Sequence, residues 1–129
     1  MANEVLKMLL AEYYRDFSTL NAQSILHYFN EPCLLVAPQG IIPMADHEAL
    51  AAVFRPMMEG LRARGYGRSE LELGSVKTLS SSVALIGGTA VRYTTDGQTL
   101  DRVGVTYLLH KAEGGWKFAT VILHDPDQE

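Results

Sequence analysis

The sequence is poor in the features that announce most functions. Cys33 is its one cysteine, so no intrachain disulfide can form, and a reducing, cytoplasmic setting is expected. It holds no apolar run of about 18 residues, so no membrane span is expected. It has no basic excess either: 11 Lys and Arg are scattered among 15 Asp and Glu, for a net charge of -4. That balance disfavours a nucleic-acid partner. Met1 to Val5 lack the charged-then-apolar order of a secretion signal. Gly87-Gly88 is followed by no lysine and opens no helix, which excludes a phosphate loop. His27, His47, His110 and His124 lack the close pairing of zinc sites, so no metal is expected, and no cofactor. Cys33 reads as a small core thiol, a nucleophile only if His27 came beside it as a base.

What is present is an ordinary globular composition, 47% hydrophobic and 20% charged. With 129 residues and no repeat, linker or low-complexity tract, one domain over 1–129 is expected. Leu6, Leu9, Leu10, Tyr13, Phe17 and Leu20 recur at helical steps and predict a first amphipathic helix. Asn21 predicts an N-cap for a short second helix over 22–29, with Leu20 and Ile25 as a hydrophobic staple. Pro32 stops it, and Cys33 to Ala37 follows as a short strand closed by Pro38-Gln39-Gly40. Asp46 caps a third helix with Leu50, Val53, Phe54, Met57, Met58 and Leu61 on its buried stripe. Pro56 predicts a kink in it, and Gly65 its left-handed stop.

From Ser69 the period changes to two. Leu71 and Leu73 alternate with Glu70 and Glu72, as in an edge strand with one wet face. Strands over 82–94, 99–110 and 116–124 follow, joined at Asp96-Gly97 and at Glu113-Gly114-Gly115. The hairpin pairs Arg92 with Asp101 and Val91 with Arg102. The fold class is therefore α+β, three N-terminal helices on a strongly curved antiparallel sheet.

Sorting these strands by parity gives two apolar faces where a half-exposed sheet would have one. One carries Ile86, Ala90, Val105, Tyr107, Trp116, Phe118 and Ile122; the other Leu85, Thr89, Tyr93, Thr106, Leu108, Val121 and Leu123. Three helices cover only one face, and a large open apolar face is rare on a monomer. The expectation is a homodimer through the face bearing Tyr107, Trp116 and Phe118, since large aromatics anchor interfaces. The face rich in Gly, Thr and Ala then lies beneath the helices and leaves room for a pocket. Tyr14, Phe17, Tyr28, Phe54, Met58, Thr89, Tyr93, Arg102 and Thr106 are its expected lining. Arg102 can hold a carboxylate ligand there or reach solvent near the hairpin tip. His124 beside Asp125, at the end of the last strand, is the candidate acid or base, or a terminal pair capping the sheet.

Three helices, a short strand and a long curved meander together resemble the nuclear-transport-factor-2-like superfamily, which includes ketosteroid-isomerase-like and SnoaL-like proteins. The local carriers are Leu20-Asn21-Ala22, Ile25-Leu26-His27-Tyr28-Phe29, Ala37-Pro38-Gln39-Gly40 and Gly114-Gly115-Trp116-Lys117. The resemblance implies a cone-shaped, cystatin-like roll. It also implies a departure from the isomerases, whose general base is an Asp where this chain has Ala37. Their oxyanion tyrosine follows an Arg on the first helix, where Arg15 is followed by Asp16, and their neutral acid aligns near Thr106. Losing such a base removes a factor of about 10²–10⁴. The sequence thus reads as a dimeric small-molecule-binding protein with an apolar pocket. Its alternatives are a lyase, isomerase or hydrolase using His124 or Asp125, and a non-catalytic dimerisation module.

Overall fold

The chain's local signals set most boundaries in the computed structural model, which describes residues 2–126. Helix α1, Ala2–Phe17, buries Leu6, Leu10, Tyr13, Tyr14 and Phe17 along one stripe. The chain then turns through Leu20 at φ 56°, a left-handed conformation uncommon for leucine. Its side chain is buried and its carbonyl accepts from Arg62 Nη2 at 3.1 Å, which holds the corner. Asn21 caps a 3-10 helix, Ala22–Tyr28, by accepting from the Gln23 amide at 3.1 Å. Strands β1, Phe29–Ala37, and β2, Gly40–Met44, form a hairpin. Asp46 then caps α2, His47–Ala63, accepting from the Ala49 amide at 2.9 Å, with Pro56 inside the helix. Gly65 at φ +85° turns the chain away.

The four remaining strands are β3, Tyr66–Thr78; β4, Val83–Thr94; β5, Thr99–Ala112; and β6, Gly115–His124. They join the first two in one sheet of order β2-β1-β6-β5-β4-β3, with only the β1–β6 pair parallel. Arg92 faces Asp101 and Val91 faces Arg102 as expected, but through a bulge at Leu100, since Tyr93 next to the turn faces Thr99. No described helix is long and apolar enough to cross a membrane.

Three expectations are corrected. The helices are interspersed with strands, and the short strand expected between the second and third is one arm of a β1–β2 hairpin. Strand β2 escapes a sequence reading because Pro43 argues against a strand; as an edge strand, β2 tolerates it. The third correction reverses the two faces of the sheet. Tyr107, Trp116 and Phe118 are buried within this chain, at 3%, 8% and 0% exposure. Phe118 stacks edge-on against Tyr13 of α1 at 4.9 Å between ring centroids, and the Tyr107 hydroxyl meets that of Tyr14 at 2.7 Å. The aromatic face therefore lies under the helices, and the face of Thr89, Thr106 and Leu108 points away from them.

Parity also changes along β6. Leu109 pairs with Phe118 and Leu108 with Thr120, so Ala119 is an extra residue, a bulge that moves Val121 and Leu123 to the helix side. Ile122 moves to the other side, against its expected grouping with Phe118. The Gly87-Gly88 stretch itself stays in register; the bulge opposite it is in β3, at Gly74. There the β3 backbone crosses so close that a Cβ on Gly88 would collide with the Glu72 carbonyl. Gly88→Ala is expected to cost about 1–3 kcal/mol as β3 is pushed off, read as a lower urea midpoint with an unchanged slope. An unchanged midpoint would show that β3 yields freely.

Candidate functional site

The space between helices and sheet is a cavity of about 50 Å³ walled by Tyr13, Tyr14, Phe17, Leu35, Phe54, Met57, Ser69, Ala90, Arg92, Val105, Tyr107, Val121 and Leu123. Helix α1 contributes the tyrosines because its apolar stripe turns onto the sheet; α2 contributes Phe54 and Met57, one turn apart. Strand parity does the rest: Ala90 and Arg92 on β4, Val105 and Tyr107 on β5, Val121 and Leu123 past the β6 bulge. Met57, Arg92 and Leu123 also border an open depression of about 350 Å³, edged by Ala37, Pro38, Gln39, Arg102, Val103, His124, Asp125 and Pro126. The small cavity and the wider depression thus lie side by side, with Arg92 in the walls of both.

The polar groups of the interior are few. Tyr14 and Tyr107 share one hydrogen bond, and the Ser69 hydroxyl lies 2.6 Å from that of Tyr66. Arg92, its side chain 16% exposed, donates to Asp101 Oδ2 at 3.4 Å, and Arg64 reaches the same oxygen at 3.0 Å. Asp101 Oδ1 is buried without a hydrogen-bond partner among the described residues. Among those residues no three of His, Cys, Asp and Glu gather as a metal would need.

Burial holds both cavity phenols neutral: Tyr107 is raised well above its ordinary value and Tyr14 is pushed up to about 12, although the Tyr107 hydrogen bond opposes the latter. Tyr28 is also pushed up to about 12, by burial and then by the Asp16 carboxylate that accepts its hydroxyl at 2.6 Å. Asp16 is lowered in return, chiefly by that hydroxyl. A raised phenol stabilises the fold fully below its unfolded value near 10, and that stability is lost as pH rises through about 12. The urea midpoint is therefore expected to fall between those values, less steeply in Tyr14→Phe. Phenolate absorbance tracking the ordinary tyrosine titration in the folded protein would contradict this.

Of the expected lining residues, Tyr14, Phe17 and Phe54 meet in the cavity. Met58 sits deeper in the core, and Met57 takes its place at the wall. Tyr28 packs edge-on against Tyr13 outside the lining, its hydroxyl bound to Asp16. Thr89, Tyr93, Arg102 and Thr106 lie on strand positions that point away from the helices, so their place inside the cavity is corrected. The Arg68 guanidinium stands 4.2 Å over the Tyr93 ring, Arg102 reaches Glu72 at 2.9 Å, and Thr106 Oγ1 lies 3.1 Å from His124 Nε2. Arg102 still borders the outer depression, as do His124 and Asp125. The second nitrogen of His124 lies 2.9 Å from the carbonyl of Asp125, and no hydrogen bond joins it to that carboxylate. Arg92 and Tyr13 were absent from the expected lining. The signal for Arg92 was strand parity, since it shares a face with Ala90 and Tyr107; that for Tyr13 was helical spacing, since it shares a stripe with Phe17.

No curated protein matches the chain. Solved structures do, at identities that speak for fold alone. An NTF-2 like protein of unknown function from Shewanella oneidensis superposes with TM-score 0.78 at 17% identity, covering 97% of this chain and 100% of that one. A domain of unknown function with a cystatin-like fold from Nostoc punctiforme gives 0.79 at 14%, covering 98% and 78%. A ketosteroid isomerase-like protein from Erwinia carotovora gives 0.68 at 16%, covering 93% and 92%. These likenesses agree with the α+β fold, a six-stranded sheet packed against helices. Over residues 3–126 the sequence matches the model of the family described as NTF2-like protein (DUF6841), and the chain belongs to that family.

Proposed function

We propose that this protein is a dimeric small-molecule-binding member of its family, its ligand held between α1, α2 and the sheet. The observation that carries the reading is the cavity beside the wider depression, with Met57, Arg92 and Leu123 in the walls of both. The interior alone is too small for a whole metabolite, whose sites usually measure about 300–1,000 Å³. The depression reaches that range, so the ligand spans both. Ala37 where the isomerases carry their base argues against steroid isomerisation.

Pairing of two copies rests on the uncovered face of the sheet. Leu34, Val36, Leu85, Leu108 and Ile122 lie on it, Leu34 at 40% exposure, and no helix packs there. A patch of this kind is normally covered, and a second copy is its simplest partner.

Ligand binding is tested by thermal denaturation against a chemically varied set of small molecules. A true ligand at a hundredfold its Kd adds about 2.7 kcal/mol of stability. Filling the wall with Ala90→Leu is expected to abolish that gain. If no compound protects, or if Ala90→Leu is protected equally, the dimerisation-module reading replaces this one. A second reading, a lyase, isomerase or hydrolase, is favoured by His124 and Asp125 bordering the depression. It requires conversion of a bound compound, lost in His124→Ala; binding without conversion rejects it.

A further inference from the structure

Arg92 is the one charged side chain among the residues lining the inner cavity. Among the described residues, one of its five N–H donors reaches an acceptor, Asp101, over a long 3.4 Å. Asp101 is shared with Arg64, which holds it at the shorter 3.0 Å, so two cations face one carboxylate and the cluster keeps a net positive charge. A second donor lies in the same cavity. Two phenols joined by one hydrogen bond have two hydrogens, and the bond uses one. Whichever of Tyr14 and Tyr107 donates, the other keeps a hydroxyl hydrogen with no acceptor among the described residues. Their raised ionisation keeps that hydrogen in place through neutral pH. The interior therefore offers donors and positive charge, and no carboxylate lines it.

Size narrows the ligand further. A space of about 50 Å³ holds about three to five water-sized groups at about 10–15 Å³ each. That suits the three heavy atoms of a carboxylate and excludes a ring system. The rest of the ligand must lie in the depression, against Pro38, Val103 and Leu123. Asp125 borders that depression and Arg102 there is already bound to Glu72, so a second negative group on the ligand is disfavoured.

We propose that the ligand is a small monocarboxylic acid, its carboxylate held by Arg92 and a Tyr14–Tyr107 hydroxyl and its short apolar body in the outer depression. The inference rests on the cavity being a binding site, and its test separates the two. Hexanoate and hexanol, alike in shape and unlike in charge, are titrated into the full chain, and methyl NMR signals of Met57, Val105 and Leu123 are followed. Hexanoate is expected to bind about 10- to 100-fold more tightly than hexanol, the advantage of a charged hydrogen-bonding partner. Arg92→Met is expected to erase that preference and Arg92→Lys to keep part of it, while hexanol binding persists in both. Equal affinity for the two probes in the wild-type chain would overturn the acid and leave the pocket standing. That comparison needs no variant to fold. If acids from propionate to octanoate and the matching alcohols all leave these methyls unmoved, the pocket itself is refuted along with the acid.

Discussion

Phe118→Ala is expected to lower the unfolding free energy by about 3–5 kcal/mol. The ring has no exposure, and it lies 4.7 Å from Tyr107, 4.9 Å from Tyr13 and 5.1 Å from Phe29 between centroids. Truncation removes the transfer free energy of a whole aromatic ring and leaves a hole that three other rings border. Those rings cannot collapse into it freely. Tyr107 is tethered through its hydroxyl to Tyr14, and Phe29 is fixed where β1 meets β6. Since domains are typically stable by about 5–15 kcal/mol, the loss is a large share of the total. Urea unfolding measures it directly, and the variant is expected to keep the wild-type slope. Phe118→Asp is expected to be unfolded outright, because it adds an unpaired buried charge. A folded Phe118→Asp that merely fails to dimerise would restore the aromatic face as the interface and overturn the face reversal described above.

Ile122→Asp is the opposite case, with the largest expected effect on assembly. Ile122 is half-buried, pairs with Thr106 of β5 and Val36 of β1, and points away from the helices. In an isolated chain the new carboxylate stays hydrated, so stability changes by about 1 kcal/mol or less. In a dimer formed through this face it would be buried without a partner, and so would its copy. A stable interface buries about 800 Å² per partner, and two uncompensated charges near its centre outweigh the remaining contacts. Sedimentation equilibrium is expected to find the wild type dimeric and Ile122→Asp monomeric with its circular dichroism unchanged. Leu108→Asp, on the same face, is expected to do likewise. A wild-type monomer at micromolar concentration would refute pairing, and a variant that remains dimeric would move the interface elsewhere.

Much of the fold was legible in short stretches. Asn21 and Asp46 cap the helices they were expected to cap, and Gly65 ends α2 in the left-handed conformation. The alternation of Glu70, Leu71, Glu72 and Leu73 marked β3 as an edge strand, and Asp96-Gly97 marked the β4–β5 turn, where a bulge at Leu100 brings Arg92 opposite Asp101. Of the site, Tyr14, Phe17 and Phe54 were legible because helical spacing fixes which side chains share a stripe. Thr89, Tyr93, Arg102 and Thr106 were not, for one shared reason. Parity divides a strand's residues into two sets, but it does not say which set faces the helices. The identity of Arg92 as the charged group at the cavity followed from that same missing choice.

Caps, turns and the existence of two apolar faces were thus determined by the sequence alone, because each depends on residues a few positions apart or directly paired. Which face went inward was decided by the tertiary structure. Tyr13 and Tyr14 of α1 interlock with Tyr107 and Phe118, and that packing outweighs any value the aromatics would have had at an interface. The bulge at Ala119 then brought Val121 and Leu123 round to the same side. Such a bulge leaves no mark in local composition, since an alanine in a strand is as readily paired as left over.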